Sequence, residues 1–374
     1  MAKFVRKSQF KWKEVDILKI INNRVKKFLI SLFYLLTNPV RAVKIMSLYR
    51  FLKGRYRATI ILSHSYREAF YRRKQGRNNH LKAADFNKKN TLENQQIIIN
   101  IHDGLMRSGG LTDRLKGICT LYMFAKKNNF KFKIYFIYPF NLEKYLVPNN
   151  YDWSIEEDEI YYNLTKTAIY TWENEKFAGD FFRLNKSKEQ LHVSCNSGEC
   201  FNHYSELFFE LFKPSPFLES KIEFHRQKLG GVGNYISMSF RFQNLLGEFE
   251  EGKSTALNEE KRKFLIEKCL IAVNKIKLKH KDAKKILITS DSNIFREIAT
   301  KTYAYIYTYI LPEEVGHIDF ADAGKGKELT AFMDMFLIAG AEKAYQIRSA
   351  EMYNSDFPKM AAKINNVPYE MILI

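Results

Sequence analysis

The stretch Ile97-Ile98-Ile99-Asn100-Ile101, followed by a loop from His102 to Gly110, a helical pattern over Thr112–Lys127 and the run Phe132-Lys133-Ile134-Tyr135-Phe136-Ile137, decides the fold. A short β-branched run of this kind is what a strand buried on both faces of a parallel sheet requires. Strand, loop, helix and strand in that order form a β-α-β unit and predict an α/β protein.

Working toward the C-terminus, residues 141–215 are aromatic and irregular, with short strands expected near Ile160–Tyr162 and Ala168–Thr171 and a helix near Ser205–Phe212. A helix over Phe217–Gln227 lies between Lys213-Pro214-Ser215-Pro216 and Gly230-Gly231-Val232-Gly233-Asn234, both rich in residues that break regular structure. A second α/β pattern follows, with strands at Tyr235–Phe242, Lys285–Thr289, Ala304–Ile310 and Lys343–Ile347. Helices are expected at Glu259–Lys277, Ser292–Thr300, Leu329–Ala339 and Asp356–Asn365. The expected organisation is a basic, largely helical N-terminal extension over 1–94, an N-terminal Rossmann-like domain over 95–230 and a C-terminal Rossmann-like domain over 231–374. Two such domains facing one another place a ligand at the C-terminal ends of their strands.

Toward the N-terminus the charge becomes informative. The chain of 374 residues carries a net charge of +19. Residues 1–90 hold 23 Lys/Arg against four acids, which equals the whole excess, and the remainder sums to zero. The apolar run Phe28-Leu29-Ile30-Ser31-Leu32-Phe33-Tyr34-Leu35-Leu36 is nine residues long, against the roughly 20 needed to span a bilayer, and is flanked by Lys26, Lys27, Arg41 and Lys44. It reads as an interfacial anchor for an anionic membrane surface through residues 1–60, or as a core helix with a basic outer face. Nucleic acid is a weaker partner for the run Arg67–Lys89, because no nucleic-acid fold motif accompanies the charge. Four cysteines, too few for a disulfide scaffold, and a start with no secretory pattern predict a cytoplasmic protein, peripheral on the inner face of the membrane.

Four stretches can carry chemistry. Gly109-Gly110-Leu111-Thr112-Asp113-Arg114-Leu115-Lys116-Gly117 combines glycines, which let a backbone approach a ligand, with a helix N-terminus; a plain loop capped by Thr112 is the alternative. In Ser237-Met238-Ser239-Phe240-Arg241-Phe242 a buried strand ends in an arginine whose planar fork suits a diphosphate, unless Asp291 or Asp334 pairs with it. Thr289-Ser290-Asp291-Ser292 ends a buried strand, where Asp291 can accept from a nucleoside and Ser292 can cap the next helix; a helix-capping role alone suits Asp291 equally. Tyr353-Asn354-Ser355-Asp356-Phe357-Pro358 marks a helix start, with the Asp356 carboxylate opposed to an anion there unless it points away.

Taken in order, these four stretches resemble the fucosyltransferase superfamily over about residues 95–370. The group comprises bacterial α-1,2- and α-1,6-fucosyltransferases and protein O-fucosyltransferases. The resemblance implies a GT-B fold and inverting transfer from a GDP-sugar, GDP-fucose in the first place, with no metal and no cofactor. It implies that Arg241 holds the β-phosphate and bridging oxygen, that Asp291 recognises the nucleoside, that Ser355 and Phe357 lie beside the phosphates and base, and that Asp113 and Arg114 face the sugar. Gly109, Gly110 and Ser292 complete the expected donor site. This sequence has Ser239-Phe240-Arg241 where the family has His-x-Arg, Thr112-Asp113 for its Gly-Asn, and Asp356 for its second Ser before Phe. Inverting transfer needs a base for the acceptor hydroxyl, and Asp113 and Asp103 are the carboxylates at the mouth of the first domain. The expected acceptor is a lipid-linked saccharide of bacterial surface polysaccharide or glycan synthesis. A non-catalytic sugar-nucleotide or polysaccharide-binding protein on the same fold is the alternative.

Overall fold

A computed structural model describes residues 96–104, 109–172, 175–248, 255–281, 285–303, 307–316 and 326–374, together with Leu52. All of these but Leu52 belong to one unit, His64–Ile374. The expected basic extension and interfacial run therefore lie outside the described residues.

The first sheet contains β1 (Ile97–His102), β2 (Lys131–Phe136), β4 (Thr167–Thr171) and β5 (Gln190–Ser194), in the order β2-β1-β5-β4 and parallel throughout. A small antiparallel pair, β3 (Leu146–Pro148) with β6 (Phe212–Pro214), stands beside it. Every residue of β1 is buried, as its largely apolar run demands, and Asn100 within it is bonded through Nδ2, which donates to the Val193 carbonyl of β5 at 3.1 Å. Helix α1 (Leu111–Lys127) follows β1 and packs against the segment after β5. Gly117 allows that approach, since a Cβ there would lie 1.8 Å from the Cys195 carbonyl oxygen.

The second sheet contains β7 (Tyr235–Phe240), β8 (Lys285–Ser290), β9 (Thr308–Tyr309), β10 (Lys343–Arg348) and β11 (Tyr369–Leu373), in the order β11-β10-β7-β8-β9, again all parallel. Its helices are α5 (Glu259–Lys279), α6 (Asn293–Tyr303), α7 (Glu328–Ala339) and α8 (Phe357–Ile364), while α2 (Glu175–Leu184), α3 (Tyr204–Leu211) and α4 (Pro216–Leu229) precede β7. Two Rossmann-like α/β halves are present, the GT-B class of architecture that the sequence implied.

The halves share a packed seam. Tyr145 stacks on Phe332 of α7, with ring centroids 4.6 Å apart, and its hydroxyl donates to the buried Glu328 carboxylate at 3.0 Å. Phe140 meets the same Phe332 edge-on, and Ser205 Oγ of α3 donates to the Ile364 carbonyl of α8 at 2.6 Å. Stacked and edge-on pairs of this kind add about 0.5–1.5 kcal/mol each beyond their buried area, so the halves are held as one body along this line.

Three expectations need correction. No strand forms at Ile160–Tyr162: the segment follows a 3-10 turn over Glu157–Glu159, and the Tyr161 amide donates to the Gln190 side chain instead of to a neighbouring strand. β5 and β11 were not anticipated. β5 carries Gln190 and His192 into a buried strand, where their side chains bond one another at 3.1 Å and Gln190 Nε2 donates to the Glu159 carbonyl. Its polar pattern therefore hides a fully buried element. Residues 304–306 of the strand expected at Ala304–Ile310 lie outside the described residues, and pairing there is confined to Thr308–Tyr309.

Candidate functional site

The N-terminal ends of α1 and α8 follow the C-terminal ends of β1 and β10, so both lie at the edges where α/β folds bind ligands. Helix α1 begins at Leu111, one residue earlier than expected, and Gly110 rather than Thr112 is its N-cap; Thr112 is buried inside the first turn. Gly110 has an unstrained backbone (φ −61°, ψ 173°), and a Cβ built there meets nothing within 4 Å. Neither backbone conformation nor packing requires glycine at that position. Gly104 differs, with φ +77° and the Tyr138 ring 2.7 Å from where a Cβ would stand.

Lys116, in the second turn of α1, joins the halves. Its Nζ lies 2.7 Å from Asp113, one turn earlier, and 3.0 Å from Asp356, the N-cap residue of α8. Burial acts to lower the lysine pKa, but hydrogen bonds and charge from the two carboxylates outweigh it and raise the value. Asp356 is thereby turned to a cation of the other half, which resolves the conflict expected between its carboxylate and an anion-binding helix start. Ser355 Oγ accepts from the Phe357 amide at 3.2 Å, and Pro358 occupies the first turn of α8. Arg114 sits one residue beyond Asp113 but points inward: it is 2% exposed, its Nε donates to the Gly109 carbonyl at 2.9 Å, and its guanidinium lies over Phe136. It braces the glycine loop from beneath.

The second cluster lies at the C-terminal ends of β7 and β8. Arg241 Nη1 and Asp291 Oδ2 are 3.2 Å apart, the structural pairing that the sequence left as the alternative to a diphosphate partner, with the arginine side chain 31% exposed. The same carboxylate accepts from the Phe242 amide at 2.8 Å and the Gln243 amide at 2.7 Å, so Asp291 clamps the turn that carries Arg241. Gln243 stands in the left-handed region at φ +52°, a conformation that these bonds hold in place. Beneath them, Ser239 and Thr289 hydroxyls from paired positions of β7 and β8 bond at 2.7 Å. Ser292 caps α6 by accepting from the Phe295 amide at 3.0 Å. The start of α6 is also covered by Glu248, which accepts from Asn293 and Ile294 amides at 2.8 and 3.1 Å and from the Ser292 hydroxyl.

Thus the structure brings Asp113 and Asp356 together through Lys116, and Arg241 together with Asp291. Asp103 lies half-buried after β1, beside His102, whose ring is buried. Burial, aided by the Arg114 charge, pushes the His102 pKa down to about 3, so the imidazole is neutral near pH 7 and too weak a base to take a proton there. Lys116 and Glu248 had been given no role from sequence. The signal for Lys116 is its i,i+3 spacing from Asp113; Glu248, 44 residues before Ser292, left none. Behind α6, Arg296 donates to the Glu313 carbonyl at 2.7 Å and to the Leu311 carbonyl, holding the loop after β9. Among the described residues no group of three or more His, Cys, Asp or Glu side chains is arranged to hold a metal ion.

No protein-family model matches the chain, and no curated protein matches it in sequence. Several solved structures resemble it. The fucosyltransferase NodZ from Bradyrhizobium aligns with a TM-score of 0.49 and 14% identity, over 72% of this chain and 93% of its own. A variant of FUT1 from Arabidopsis thaliana, solved with GDP, aligns at 0.48 and 11%, over 86% and 79%. POFUT1 in complex with GDP aligns at 0.42 and 12%, over 75% and 99%.

Proposed function

We propose that the protein is a metal-independent, inverting glycosyltransferase that moves fucose from GDP-fucose to a saccharide hydroxyl, on a lipid-linked acceptor at the inner membrane face. The observation that carries the reading is the Arg241–Asp291 pair at the C-terminal ends of two adjacent buried strands. An arginine oriented there by a clamped turn presents a rigid fork to a diphosphate and meets the charge that develops on departing GDP. Gly110 supports it, because glycine where neither strain nor packing requires one leaves room for a ligand against the N-terminus of α1. Lys116, between two carboxylates, is a second cation at that edge. On this reading Ser355 and Phe357 flank the phosphates and base, and Arg114 acts by supporting the Gly109 backbone.

Asp113 is the first candidate for the acceptor base and Asp103 the second. Asp113 is bound to Lys116 in this structure, so base duty requires the lysine to turn toward the incoming diphosphate. That same engagement favours the second reading, a non-catalytic binder of sugar nucleotides. Calorimetric titration with GDP, GDP-fucose, GDP-mannose and UDP-sugars in EDTA, on wild type and Arg241→Ala, tests both. GDP-fucose is expected to bind without metal, and Arg241→Ala to lose about 2 kcal/mol, roughly thirtyfold in affinity. Binding of UDP-sugars alone overturns the GDP assignment. Donor binding without any donor hydrolysis or transfer favours the binder.

A further inference from the structure

The outer face of α5 carries large apolar side chains that its own packing does not use. Its buried positions, Leu265, Cys269, Ala272 and Ile276 among them, form a complete inward stripe, so the helix needs no further apolar residue to pack. Yet Phe264, Ile271 and Leu278 recur every seventh residue on the opposite side, 58%, 44% and 70% exposed. At 100° per residue they form one ridge along the helix. Lys261, Lys268 and Lys275 run parallel to that ridge on the side toward β11, with Lys268 Nζ 4.7 Å from the Phe264 ring centre. Beyond the lysines, Ile271, Lys275, Leu373 and Ile374 line a shallow groove against the edge strand, where Leu373 is 70% exposed. Glu260 and Glu267 stand along the ridge and its far flank, while Glu351, whose pKa the Ser349 hydrogen bond lowers, lies near enough to Lys268 and Lys261 for their charge to lower it further.

We propose that this face is a docking surface for an anionic lipid membrane. Large side chains standing proud beside a row of lysines match the two layers of such a surface: the rings and branched chains enter the headgroup boundary while the ammonium groups meet lipid phosphates. A second copy of the chain is the poorer occupant. An antiparallel twofold pairing of α5 ridges would set the lysine row of one copy against that of the other, where like charges repel, and a parallel one would leave three lysines against only Glu260 and Glu267. The face lies on the second half and is independent of the donor-site reading.

The test uses the full chain. Cys119, Cys195, Cys200 and Cys269 are all buried, so Leu278→Cys supplies one reactive thiol for an environment-sensitive fluorophore. Val232→Cys, exposed and remote in sequence, is the control. With vesicles of phosphatidylcholine and phosphatidylglycerol, emission from position 278 is expected to move to shorter wavelength and to gain protection from a soluble quencher. Phosphatidylcholine alone should change neither, and position 232 should not respond. Combining Lys261→Glu, Lys268→Glu and Lys275→Glu should weaken the response about tenfold or more. An unchanged label while the protein sediments with vesicles overturns the proposal, since another part of the chain would then be binding. So does a label already shielded before vesicles are added, whether by the chain itself or, if the shielding rises with protein concentration, by a second copy.

Discussion

Lys116 Nζ in α1 and the Asp356 carboxylate at the start of α8 lie 3.0 Å apart, joining the glycine-led helix of one sheet to the last helix of the other. With Asp113 on its other side, the lysine is 12% exposed, and it sits at the edge where both sheets end. Because the apolar seam at Tyr145 and Phe332 already fixes the halves, the lysine bridge sets the electrostatics of the cleft mouth more than its overall geometry.

Replacing that cation leaves two carboxylates facing each other. Lys116→Met is expected to cost about 1–2 kcal/mol in urea unfolding, and Lys116→Met with Asp356→Asn to recover about half of it. Additive losses in the double variant would show that the bridge carries no coupling.

Asp291→Asn keeps the size of the side chain but removes the charge that binds Arg241, and one of its two oxygens. The amides of Phe242 and Gln243 then compete for a single acceptor. A loss of about 2 kcal/mol in stability is expected, with weakened GDP binding because the turn carrying Arg241 is released. Retention of full stability would show that the clamp is dispensable.

Gly117→Ala forces a methyl group onto the Cys195 carbonyl, a backbone atom that no rotamer change can move. The expected loss is about 3 kcal/mol or more, seen as poor soluble yield or a thermal midpoint lowered by several degrees. Gly110→Ala, with open space in front, should leave stability within about 1 kcal/mol and reveal its effect in ligand binding alone.

Burial pushes the Asp334 carboxyl up to about 7, against the pull of Arg296 and with Glu313 adding to the rise. The unfolded value is about 3.9, so between about pH 4 and 7 the folded state holds the extra proton and its stability falls as pH rises. Asp334→Asn should remove that fall. The stability of the variant relative to wild type is expected to increase across this window by up to about 4 kcal/mol, measured as urea midpoints at several pH values. Parallel curves for the two proteins would show that Asp334 ionises in the folded state as it does in water.

Much of the fold was legible because it is written locally. Ile97–Ile101 and Lys285–Thr289 are apolar runs with no other stable home than a buried parallel strand, and Pro216, Pro358 and Gly230 punctuate helices at the places where they were expected. β5 escaped because Gln190 and His192 satisfy one another inside the sheet, so their polarity carries no sign of burial. β11 escaped because an edge strand with exposed Met371 and Leu373 looks like a tail.

The site divides in the same way. Residue order alone marked Gly109–Gly117, Arg241, Asp291 and Ser355–Phe357, since each adjoins the end of a recognisable strand. Tertiary structure decided what each of them touches. It turned Arg114 inward beneath Gly109, set Asp291 against two amides and a guanidinium, and brought Lys116 to Asp356 across 240 residues of chain. Sequence patterns record which face of an element is apolar, whereas an ion pair depends on where two elements meet, and the packing of α1, α7 and α8 along the seam sets that meeting.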